Sequence, residues 1–118
     1  MSAAPGQTVA VVAAPGDARR MLATYLQGAG FDTLECDHLP APGTCSALVA
    51  VDAPETSLSI PTEMRSWMRL ATHERVVVVT SNPAAFREFA LVHAERMRVL
   101  PALSFGWNVA DALRASPR

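Results

Sequence analysis

At 118 residues, half of them apolar, the chain has enough hydrophobic sequence for one buried core and one domain. The formal net charge is −1 with no run of like charges, so composition gives no footprint for nucleic acid or a membrane surface and points to proteins or small molecules as partners. Apolar runs fall far short of membrane-spanning length and MSAAPGQ lacks a basic-then-apolar leader pattern, so a soluble cytoplasmic protein with a flexible stretch at 1–7 is expected.

Thr8 to Val12 is a β-branched run ending in the turn-prone Ala13, Ala14, Pro15, Gly16 and Asp17, which predicts a strand feeding a helix. Ala18, Met21, Leu22, Tyr25, Leu26 and Ala29 then recur at helical spacing, with Arg19, Arg20, Thr24 and Gln27 on the other side. Gly28 and Gly30 stop that helix. Phe31 to Cys36 reads as a second strand. His38 to Thr44 contains Pro40, Pro42 and Gly43 and cannot hold a regular helix of any length.

Ala47 to Val51 and Val76 to Val79 are continuous apolar runs, the pattern of strands buried on both faces. Between them, Pro61 to Thr72 predicts a helix with Met64, Trp67 and Met68 in the core, and Arg65 and Arg69 one turn apart on another face. Pro83 to Glu95 starts with proline at a first helical position and predicts a further helix. A strand at Met97 to Leu100 and a helix from Ser104 to Ala115 complete the series, and 116–118 has the look of a linker leading to an output domain. Strands alternating with helices imply a parallel sheet covered on both faces, which here means a flavodoxin-like α/β three-layer sandwich of five strands with an eroded second helix.

In such a sheet the active crevice lies beyond the carboxyl ends of the strands, where this chain places Ala13, Ala14, Asp52, Thr80, Ser81, Leu100 and Pro101. The stretches VAVVAAPGDARRMLATYLQGAGF, ALVAVDAP, VVVVTS and VLP together resemble the receiver domain of bacterial response regulators over nearly the whole chain. The resemblance is strongest over 8–36 and 47–54 and weak over 38–45 and after residue 94. It implies that Asp52 occupies the phospho-acceptor position and Thr80 that of the hydroxyl which follows phosphorylation. It also implies that Ala13 and Ala14 stand where the magnesium-binding acids belong, and Leu100 where a phosphate-contacting lysine belongs.

Those three substitutions remove much of the chemistry. Phosphoryl transfer depends on positioning and charge stabilisation, and Mg²⁺ is held through carboxylates and phosphate oxygens, so one carboxylate is a poor substitute for three. All ten basic residues are arginine, so no shift of register supplies a lysine. Arg98 would point to the same face as Leu100, one pleat back from the strand end. Without metal partners, Asp52 fits better as a cap on the turn that follows its strand, and Thr80 and Ser81 as turn and cap residues.

Little else carries chemistry. His38, His73 and His93 lack metal-ligand spacing and are expected at the surface; Cys36 and Cys45 fit free thiols in a reducing compartment, with a disulfide left open. There is no Walker loop, no GxGxxG after the first strand and no GxSxG elbow, so no enzyme activity, metal or cofactor is implied. The expected role is a pseudo-receiver in signal transduction, meeting a protein partner or a second copy through a surface of Phe86, Phe89, Val92 and Trp107. The alternatives are a small-ligand sensor using the vacated crevice, or a phospho-accepting receiver in a phosphorelay with Asp52 as acceptor.

Overall fold

The computed structural model describes residues 8–41, 43–52, 60–70, 74–101 and 106–114; the expected flexible start at 1–7 and the linker-like 116–118 lie outside them. Their order is β1 (Thr8–Val12), α1 (Asp17–Gly28), β2 (Asp32–Cys36), β3 (Ala47–Asp52), α2 (Ile60–Leu70), β4 (Arg75–Thr80), a 3₁₀ turn (Pro83–Phe86) running into α3 (Arg87–Val92), β5 (Met97–Pro101) and α4 (Gly106–Arg114). All strand pairs are parallel, in the spatial order β2-β1-β3-β4-β5. This is the flavodoxin-like sandwich that the alternation of elements predicted. Among the described residues no helix is long and apolar enough to cross a membrane.

Strand alternation sorts the core into two layers. Ala10, Val12, Leu48, Ala50, Val76 and Val78 face Ile60, Met64, Trp67 and Met68 of α2 and Phe86 of the 3₁₀ turn. Val9, Val11, Val49, Val77 and Val79 face Ala23 and Leu26 of α1 and Val109, Ala110 and Leu113 of α4. Both layers use small β-branched residues on the central strands, so the helices approach closely and β1, β3 and β4 are buried along nearly their whole length.

No helix joins β2 to β3 among the described residues. Instead the proline-containing loop lies across the α2 side of the sheet, with Leu39 packed on the core. Trp67 Nε1 donates to the Pro40 carbonyl at 2.7 Å, and the Gly43 amide donates to Glu74 Oε2 at 2.7 Å. Gly43 makes that turn at φ +92, a conformation a side chain would strain.

Two helices differ from expectation. In α1 the apolar arc is turned: Leu22, Ala23, Leu26 and Ala29 meet the sheet, while Met21 is 70% and Tyr25 44% exposed and Ala18 is exposed as well. Arg19 lies on the inward stripe, one turn before Leu22 and Ala23, and its contacts with the ends of β1 and β2 turn that stripe toward the sheet. The segment from Pro83 does not run as one α-helix to Glu95: it opens as a 3₁₀ turn, and α3 ends at Val92. The tighter winding of that turn changes the rotational phase and seats Phe86 in the core, fully buried, its ring centroid 6.2 Å from that of Phe89.

Candidate functional site

The parallel register sets Asp52 beside Thr80 at the carboxyl ends of β3 and β4, with both side chains on the same side of the sheet. Thr80 Oγ1 lies 3.0 Å from Asp52 Oδ2 and accepts the Asn82 amide at 2.9 Å. An ionised carboxylate only accepts, so the hydroxyl proton goes to Asp52 and both roles of the hydroxyl are filled. Thr80 is wholly buried and Asp52 is partly exposed, so the carboxylate faces the crevice with one oxygen already engaged.

Beside this pair the crevice floor is apolar. Val12 pairs with Ala50, and continuing that register sets Ala13 level with Val51 and Ala14 level with Asp52. Ala13 is buried, its amide bonded to the Cys36 carbonyl at 3.2 Å. On the other flank Leu100 pairs with Val79 and packs into the α1/α4 layer, while Pro101 pairs with Thr80. Arg98 pairs with Val77, three residues or about 10 Å of strand short of Thr80. It is exposed, and its guanidinium makes no hydrogen bond or ion pair among the described residues.

The charged groups nearest the β1 end are committed elsewhere. Arg19 donates to the Ala13 carbonyl at 3.1 Å, to Asp37 Oδ1 at 2.6 Å and to Glu35 Oε1 at 3.3 Å. The hydrogen bond to Asp37 leads in raising the guanidinium pKa against the cost of burial, with the negative charges of Asp37 and Glu35 adding to it. Among the described residues no group of three or more His, Cys, Asp or Glu side chains is placed to hold a metal ion.

This arrangement of elements has a counterpart among solved structures. A response regulator protein from Burkholderia pseudomallei, determined with a phosphorylated aspartic acid, a calcium ion and citrate, superposes with a TM-score of 0.74 at 13% identity, covering 92% of this chain and 67% of that one. The fold is receiver-like. No protein-family model matches the chain, and no curated protein matches it.

Within this receiver-like frame, Asp52 and Thr80 lie side by side, flanked by Ala13 and Ala14. The surface residues fare differently. Phe86 belongs to the core and presents nothing to a partner, Phe89 is half-buried against the α2 layer, and Val92 is 76% exposed. Trp107 falls in the first turn of α4, and its side chain lies outside the described residues. Cys36 and Cys45 are free thiols, each pushed up in pKa chiefly by burial. His38 is exposed, His93 is half-buried, and His73 lies outside the described residues.

Sequence reasoning missed the Arg19 clamp, because a helical wheel with Met21 and Tyr25 inward turns Arg19 to solvent. The alternating acids Glu35 and Asp37 beside a helix carrying Arg19 are the only signal that could have found it.

Proposed function

We propose that this chain is a receiver-fold signalling domain that has given up magnesium-dependent phosphorylation and acts, without catalysis, as a protein-interaction module. The observation that carries this reading is the pair Ala13 and Ala14 at the β1 end, level with Val51 and Asp52. Two methyl groups stand where a divalent cation needs oxygens, and hard cations such as Mg²⁺ bind through oxygen ligands. Support comes from the neighbouring charges: Asp37 and Glu35 already neutralise Arg19, and Leu100 is packed into the core layer rather than offering a cation to a phosphoryl group.

Under this reading Asp52 serves the fold. Its carboxylate accepts a hydrogen bond from the Thr80 hydroxyl, Thr80 accepts one from the Asn82 amide, and the chain leaving β4 is thereby fixed in its turn toward the 3₁₀ segment. The signalling work falls to the outer surfaces of the helices, which can be shaped by selection without a phosphorylation switch.

The test is intact-mass measurement after incubation with acetyl phosphate and Mg²⁺, with Asp52→Asn alongside. The reading expects no gain of mass. A stable gain of one phosphoryl group, absent from Asp52→Asn, overturns it.

A further inference from the structure

Three of the large apolar side chains most exposed among the described residues sit on two neighbouring helices: Leu70 on α2 is 69% exposed, and Leu91 and Val92 on α3 are 74% and 76% exposed. Between those helices runs a groove of about 240 Å³. Its α2 wall carries Arg65 and Arg69, and its α3 wall carries Glu88 and Val92, each pair one helical turn apart and so on one face. Met68 and Phe89 form the apolar floor. The Arg65 guanidinium lies over the Phe89 ring at 5.9 Å and holds the two walls together. Arg69 and Glu88 make no ion pair with each other or with any other described residue.

The groove thus has a basic α2 wall and an α3 wall that carries Glu88 and Val92 beside His93, with the exposed Leu91 next to Val92 on the same helix. Resting on the interaction-module reading above, we propose that its occupant is a second copy of this chain, docked about a twofold axis. In an isologous contact residue i meets residue j and j meets i. A patch with opposite charges on opposite walls is therefore complementary to itself: the Leu91–Val92 ridge of each copy enters the groove of the other, and Glu88 of each meets Arg69 of the other. A foreign partner would have to reproduce both the charge order and the ridge.

Sedimentation equilibrium of the full chain over a concentration series tests this, with circular dichroism confirming that each variant is folded. Arg69, Glu88 and Val92 are exposed, so their substitutions leave the core intact. The wild type is expected to dimerise reversibly, and Arg69→Glu, Glu88→Arg and Val92→Glu each to raise the dissociation constant by about tenfold or more. Mixing Arg69→Glu with Glu88→Arg sets a copy that is acidic at positions 69 and 88 against a copy that is basic at both, so opposite charges meet at both symmetry-related contacts. The mixture is expected to restore the wild-type constant to within about threefold. A wild type that stays monomeric overturns the proposal. So does a mixture that stays dissociated, or a dimer that resists all three changes and dissolves in Met21→Glu on α1. None of these outcomes alters the acetyl phosphate result, so the two readings fail separately.

Discussion

Thr80 donates a hydrogen bond from its hydroxyl to Asp52 across 3.0 Å while accepting one from the Asn82 amide at 2.9 Å, and so ties the ends of two neighbouring strands to the loop that follows β4. Thr80→Val keeps the shape and removes both bonds. Because Thr80 is fully buried, the Asn82 amide loses its acceptor, and the expected loss is about 1–3 kcal/mol by urea denaturation. Asp52→Asn, which retains a carbonyl acceptor for the hydroxyl, is expected to cost less than Thr80→Val. Equal losses would show that the carboxylate charge, rather than the hydroxyl geometry, holds the turn.

If the proposed reading is right, placing acids at the β1 end should create a magnesium site. Ala14→Asp places a carboxylate level with Asp52 and Ala13→Asp one level with Val51 at a buried position, and their repulsion and burial are expected to lower the melting temperature in EDTA. Millimolar Mg²⁺ should then recover stability saturably in the double variant and leave the wild type unchanged. Magnesium-dependent stabilisation of the wild type would mean that its oxygens suffice.

His93 closes α3, its amide bonded to the Phe89 carbonyl at 2.8 Å, and burial followed by the nearby Arg96 pushes its pKa below the ordinary 6.5. The folded state therefore favours the neutral ring. Its contribution is present above pH 6.5 and is lost as pH falls from there through the depressed folded value. His93→Asn should flatten this part of the stability profile as pH falls below 6.5. An unchanged slope would assign the acid sensitivity to other groups.

The architecture was readable because it rests on short-range patterns. VAVV, ALVAV and VVVV could serve only as strands covered on both faces, and the stripe of Met64, Trp67 and Met68 lies inward at 0%, 5% and 4% exposure. The crevice followed from strand ends alone, which put Asp52 and Thr80 at its edge; the hydrogen bond between them was not foreseen. Rotational phase was less legible. In α1 both Met21–Tyr25 and Leu22–Ala23–Leu26 satisfy helical spacing, and only the long-range clamp from Arg19 to Glu35 and Asp37 decides between them. Phe86 was misplaced for a related reason: a 3₁₀ turn and an α-helix starting at the same proline share a local sequence but set the fourth residue about 60° apart.

The Trp67 hydrogen bond to Pro40 is expected to matter beyond its own strength. Trp67→Phe retains most of the apolar ring and deletes one donor, at a cost of about 0.5–1.5 kcal/mol. The larger effect should be local: faster amide exchange at Thr44, whose hydrogen bond to Ala41 closes the loop, with the β3 and β4 amides still protected. Uniform acceleration across the sheet would mean that the loop and the sheet open as one unit.

A crossover helix spreads its grip on a sheet over a whole face, so that no single side chain is indispensable. Here the ten residues from 37 to 46 would rise only about 15 Å as a helix, less than the roughly 17 Å length of a five-residue strand that the connection must retrace before reaching β3. The described residues cross without a helix instead, with Leu39 and Cys45 packed on the core and side-chain hydrogen bonds at an indole and a carboxylate. Such a seam is brittle to mutation yet simple to observe: with Trp107 replaced by Phe, the emission of Trp67 becomes a gauge of whether this one layer is closed.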